Sequence, residues 1–160
     1  MPEVLFYHLE RRALDDVLPS LLEKTRSRGW KANIRVGSAE RMEVLDNHLW
    51  TYSDQSFLAH GTSADGHSAR QTIYLTTEDD NPNDADVLFL VDGAIVENWV
   101  DTELSKFERI VLLFDGGEEG IHIEVDDRPR PDDRAIAVIV GVYSINCPGG
   151  GYARHDLAQR

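Results

Sequence analysis

Apolar residues recur along this chain with two different spacings. Leu14, Val17, Leu18, Leu21 and Leu22 fall at i, i+3, i+4, i+7 and i+8, which predicts an amphipathic helix. The helix runs to about Arg28 and stops at Gly29, a natural residue for the left-handed position that ends a helix. Lys24, Arg26 and Arg28 oppose its dipole. Pro19 interrupts the pattern and predicts a kink, or a break into two shorter helices. Met42, Leu45 and Leu49 predict a second helix, capped by Ser38 and ending near Trp50.

The strand candidates differ in length and spacing. "VLFYHL" (4–9) is a short apolar run of β-formers, and "KANIRV" (31–36) alternates with Ala32, Ile34 and Val36 on one side. "TIYL" (72–75), "VLFLV" (87–91), "RIVLLF" (109–114) and "AIAVIVGVY" (135–143) complete the set. Consecutive apolar positions in 87–91 and 109–114 are those of strands covered on both faces of a parallel sheet. Strand–helix–strand order with short connections predicts an α/β layered fold. Residues 59–71 read as a polar loop, 116–134 as a linker-like stretch, and "NCPGGGY" as a loop before a frayed end.

Composition narrows the class. A chain of 160 residues with 41% apolar and 28% charged content suits one soluble domain. No apolar run approaches the roughly 18 residues of a membrane span, and "MPEVLFYHLERR" lacks the basic start of a signal peptide. The single Cys147 excludes an intramolecular disulfide and any CxxC zinc site, and fits a reducing cytosol, so a cytoplasmic protein is expected. Net charge is −13; residues 1–41 carry a local balance of +2, leaving −15 for the remainder. Such a chain is repelled by a phosphate backbone, so protein partners are expected rather than direct nucleic-acid contact.

The carboxyl ends of parallel strands are where catalysis would sit. They offer His8, Asp92 and Asp115, a set that a small metal-dependent hydrolase could use. Asp-Gly after a strand is also a common turn, and that reading of "VDG" and "FDG" is favoured. The first strand-to-helix turn has no glycines, so GxGxxG and GxxxxGK[ST] phosphate cradles are missing. No GxSxG elbow occurs, Cys147 has no evident activating partner, and the six histidines lack HxH or HxxxH spacing. "TTEDDNPNDAD" (76–86) lacks the glycine and final glutamate of a calcium loop and reads as solvated. No catalytic residue, cofactor or metal is therefore expected.

"LDNHLWTYSDQSFLAHG" (45–61) is the stretch left unexplained, with Trp50 and Phe57 in a segment too polar for a core. Together with "LPSLLEK" (18–24), "RGW" (28–30), "DNPN" (80–83), "LFLVDGA" (88–94) and "ERIVLLFDG" (108–116), in this order and spacing, it resembles the chi subunit of bacterial DNA polymerase III holoenzyme. The resemblance covers residues 3–118, about three quarters of the chain. It implies a non-catalytic three-layer α/β fold with a largely parallel sheet, resembling nucleotide-binding domains but binding no nucleotide. It implies an adaptor that binds the acidic C-terminal tail of single-stranded DNA-binding protein and, in some lineages, the psi subunit of the clamp loader.

The same resemblance assigns Trp50 and Phe57, with Tyr52 between them, to a clamp-loader contact. For Trp50, packing at the rim of the core is an equal reading, because it ends a helix whose other face is buried. Phe57, flanked by polar residues, is the better interface residue. Relatives continue after "FDG" with a helix that supplies much of the tail-binding pocket, whereas Pro129 and Pro131 forbid a regular helix here. The chain thus divides into a chi-like core (1–118) and a divergent segment (119–160). Arg128, Arg130 and Arg134 can replace the pocket's charge, against Asp126, Asp127, Asp132 and Asp133 interleaved with them. Loss of tail binding with retention of the clamp-loader contact is the third possibility.

Overall fold

The computed structural model describes residues 3–9, 12–94, 104–115, 121–122 and 141–142. Two units divide the chain, Met1–Glu118 and Glu119–Arg160. In the first, β1 (Glu3–Leu9), β2 (Ala32–Val36), β3 (Gly61–Thr62), β4 (Ile73–Thr76), β5 (Val87–Val91) and β6 (Arg109–Asp115) form a sheet ordered β1-β6-β5-β2-β4-β3. Every pairing in it is parallel. Helix α1 (Leu14–Ser27) joins β1 to β2, and α2 (Ala39–Thr51) leads from β2 toward β3. This is the α/β parallel-sheet fold expected from the pattern.

Each residue of β2, β4 and β5 is buried, as their near-continuous apolar sequences require. Ile34, Leu75, Phe89 and Val111 pack with Leu18 and Leu22 of α1 and Leu45 and Leu49 of α2 in one core cluster. The alternate residues, among them Leu88, Leu90, Ile110 and Leu112, are buried as well, so the sheet is covered on both faces.

Pro19 does not break α1, which stays one helix from Leu14 to Ser27 with Pro19 buried inside it. A proline cannot donate to the carbonyl four residues back, here that of Asp15. That oxygen instead faces Nε2 of His48 on α2 at 2.7 Å, which donates to it in the Nε2–H tautomer. A bond between helices thus replaces the bond lost within one. At the far end Gly29 takes a φ of 76°, as expected of the residue that stops a helix.

Three loops depart from expectation. The stretch 59–71 contains β3 and a 3-10 turn at Ser68–Arg70. Asp65 folds back on it, accepting from Thr62 N at 2.7 Å and Thr62 Oγ1 at 2.9 Å, which holds its carboxyl below the usual range. The stretch 76–86 is not simply solvated: Asn83 is fully buried, and its Nδ2 donates to the carbonyls of Ala32 and Gln71 at 3.0 and 3.2 Å. It therefore ties the start of β2 to the approach of β4. In the second unit, β7 (Ile121–His122) pairs antiparallel with β8 (Gly141–Val142), so a strand lies where a linker was expected. The remainder of the strand expected over 135–143 lies outside the described residues.

Candidate functional site

Ser38 Oγ accepts from Arg41 N at 3.3 Å and starts α2. The helical period then buries Leu45 and Leu49 against the sheet and turns the next residue, Trp50, outward to 48% exposure. Past the helix, Leu58 is fully buried while its neighbour Phe57 is 61% exposed. Adjacent residues of an extended chain point opposite ways, so anchoring Leu58 presents Phe57 to solvent. The two rings meet, with centroids 5.7 Å apart at 40°, and Trp50 also lies 4.2 Å from the ring of His60 at 39°. These tilted contacts fall in the range of favourable aromatic pairs.

The seat under the rings is polar and tied down. His60 is buried, with Nδ1 2.7 Å from the Leu58 carbonyl and Nε2 at 3.2 and 3.1 Å from the carbonyl and carboxylate of Asp46. Glu23 Oε1 on α1 accepts from Tyr52 and Ser56 hydroxyls, both at 2.6 Å. These bonds, that of Ser56 first, hold the Glu23 carboxyl below its ordinary value. Burial, and then the bond to Glu23, pushes the Tyr52 phenol up. Arg26 Nη1 donates to the Phe57 carbonyl at 2.6 Å. Glu23 and Arg26 were missed in the sequence, where α1 residues facing a loop behind α2 carry no local signal.

Of the sequence candidates, Trp50, Tyr52 and Phe57 come together, with Tyr52 half-buried against the core behind the exposed pair. Arg128, Arg130 and Arg134 lie outside the described residues.

At the carboxyl end of the sheet the loops after β2 and β5 bring the protein's own charged groups together. β2 and β5 are neighbours whose outgoing loops meet there, and the backbone of Gly37 abuts the Asp92 carbonyl so closely that a Cβ would collide with it. Arg41 donates from Nε to Asp92 Oδ2 at 3.1 Å and from Nη2 to Asp15 Oδ1 at 3.3 Å. Burial works against the Arg41 guanidinium, but the two carboxylates outweigh it and push its pKa up. Asp92 itself stands in the turn Val91–Ala94, closed by a 3.0 Å bond, with φ of 51° and 74° at Asp92 and Gly93. The turn reading of "VDG" therefore holds, with the Asp92 carboxylate committed to Arg41. His8 pairs with Phe114 in the β1–β6 register, and Asp115 ends β6. Among the described residues no group of three or more His, Cys, Asp or Glu side chains is placed to hold a metal ion.

Fold and site together define a parallel-sheet α/β domain that carries an exposed aromatic pair on a polar seat, with Arg41 joining Asp92 and Asp15 at the carboxyl end of the sheet. Residues 1–124 match the family model described as DNA polymerase III chi subunit, HolC. A probable DNA polymerase III subunit chi of Rickettsia prowazekii (strain Madrid E) is 30% identical over 117 residues, covering 72% of this chain and 71% of that protein. The chain belongs to the DNA polymerase III chi subunit family, whose members are non-catalytic accessory subunits of the replisome.

Proposed function

We propose that this chain is a replisome adaptor, joining the clamp loader to single-stranded DNA-binding protein through that protein's acidic C-terminal tail. It works in the cytoplasm, with residues 1–118 as its chi-like core and Arg128, Arg130 and Arg134 as candidates for the tail-binding charge. The clamp-loader side is Trp50 and Phe57 backed by Tyr52, with the psi subunit as receiver where one exists. The observation that carries this reading is the exposure of two touching aromatic rings whose backbone is fastened to α1. Large aromatics on a pre-organised seat are what interface hot spots are made of. Burying one such ring against a partner contributes about 1.5–3 kcal/mol.

Two measurements test the two halves. Clamp-loader subunits are captured on wild-type protein and on Phe57→Ala; equal capture sinks the first half. A labelled tail peptide is titrated beside a copy lacking its last residue. Wild-type protein is expected to prefer the complete tail, and equal affinity for the two, or none for either, defeats the second half.

A further inference from the structure

The imidazole beneath Trp50 meets oxygen acceptors at both of its nitrogens. His60 stands just before β3, and its side chain is fully buried. Its Nδ1 is 2.7 Å from the Leu58 carbonyl, and its Nε2 is 3.2 Å from the Asp46 carbonyl on α2. A backbone carbonyl carries no proton, so each contact is a hydrogen bond only if the ring nitrogen donates. A neutral imidazole has one N–H to give. Either neutral tautomer would therefore turn a bare lone pair onto a carbonyl in a site closed to water. A proton placed on the Asp46 carboxyl instead would still leave Nε2 bare against the Asp46 carbonyl. The Asp46 side chain points to the same answer from its own side. Its Oδ1 is buried and accepts no directed hydrogen bond, yet lies 3.1 Å from Nε2, where a positive charge satisfies it. Asp65, after β3, is a second carboxylate in the field of this ring; the bonds from Thr62 hold its carboxyl down, and His60 adds to them.

We infer that His60 carries a proton on both ring nitrogens and is a positioning residue, its buried charge holding the Trp50 indole in place on the exposed surface. The two rings lie 4.2 Å apart, well within cation–π reach. Trp50 is otherwise 48% exposed and meets Phe57, itself 61% exposed, at its side. The imidazolium is thus the anchored member of the group: two carbonyls fix its plane, and one carboxylate balances its charge. An indole ordered in advance loses less freedom when a partner covers it. The charge on His60 follows from the oxygens around it; only its use at a clamp-loader contact rests on the adaptor reading.

The test is NMR of the intact chain at neutral pH, with isotope-labelled histidine ring nitrogens and with the Trp50 indole N–H assigned by its loss in Trp50→Phe. Asp46→Asn keeps both backbone carbonyls and nearly the same shape but removes the balancing charge, and His60→Gln removes the imidazolium itself. Expected are two ring N–H signals for His60 in wild type and one in Asp46→Asn. The Trp50 indole signal should move in both variants, and each should capture clamp-loader subunits about fivefold more weakly. A single ring N–H in wild type overturns the inference. Both protons surviving in Asp46→Asn overturn the ion pair on which the charge depends. An unmoved indole signal in Asp46→Asn after the proton is lost shows that the charge does not position Trp50. Failure of wild type to capture any clamp-loader subunit sinks that half of the adaptor reading, while the ring protons and the indole signal still decide the role of His60.

Discussion

The indole of Trp50 lies 4.2 Å from the imidazole of His60, and that imidazole is itself held between the Leu58 carbonyl and Asp46. Trp50 is thus supported from beneath, whereas Phe57 touches Trp50 from the side and is otherwise open. The two rings are not equivalent. Phe57→Ala is expected to weaken clamp-loader binding about tenfold while changing folding stability by less than about 0.5 kcal/mol. Trp50→Ala should lose both binding and about 1 kcal/mol of stability, through its contacts with His60. Calorimetric binding and denaturant melts on the same samples separate the two effects.

The bonds from Tyr52 and Ser56 to Glu23 have an acid limit and an alkaline one. Glu23 is held below its ordinary value of 4.5, so its contribution is complete above that value and is lost as pH falls through the lowered one. Tyr52 is held above its ordinary value of 10.0, so its contribution is complete below 10.0 and lost as pH rises through the raised one. The amide shifts of Tyr52 and Ser56 should therefore move as pH falls through the lowered Glu23 value. In Glu23→Gln that acid-side movement at these two residues should shrink, and undiminished movement would show that another group is responsible.

Gly37→Ala is expected to be severe although Gly37 is exposed. The added methyl would meet the backbone of the turn after β5, the Asp92 carbonyl first and Ala94 N at 3.2 Å, so the loops after β2 and β5 would have to part. A cost of about 2–4 kcal/mol is expected from such overpacking. Urea denaturation measures it, and an unchanged midpoint would refute the close approach.

Arg35 is a buried cation on β2, with Asp79 at 2.5 Å but Asp79 itself 67% exposed. Burial pulls the Arg35 pKa down, and Asp79 and Asp80 only partly restore it. Arg35→Met should therefore be neutral or stabilising by about 1 kcal/mol, while Asp79→Ala, which strands the guanidinium, should destabilise by about 1 kcal/mol. Thermal melts of the two variants should move in opposite directions or differ in size; equal losses would mean that the pair is a net source of stability.

The strands were legible because a parallel sheet buried on both faces imposes short β-branched runs such as "VLFLV" bounded by turn residues. Helix α2 was legible to within a residue because Ser38 caps it and Leu45 and Leu49 mark its inner face. Continuity of α1 through Pro19 was not, since the compensating contact comes from His48, distant in sequence. β3 was missed because two residues paired only with β4 carry no period. In the site, Trp50 and Phe57 stood out as aromatics in a polar stretch. Glu23 and Arg26 did not, because only folding brings α1 against the loop after α2.

The proline within α1 reaches further than its own helix. By leaving the Asp15 carbonyl to His48, it adds one bond between α1 and α2, two positions before Trp50 on the same helix. Burial of Leu45 and Leu49 sets the rotation of α2, and this bond reinforces it from the neighbouring helix. The aromatic surface is thereby braced from a helix that the rings themselves do not touch.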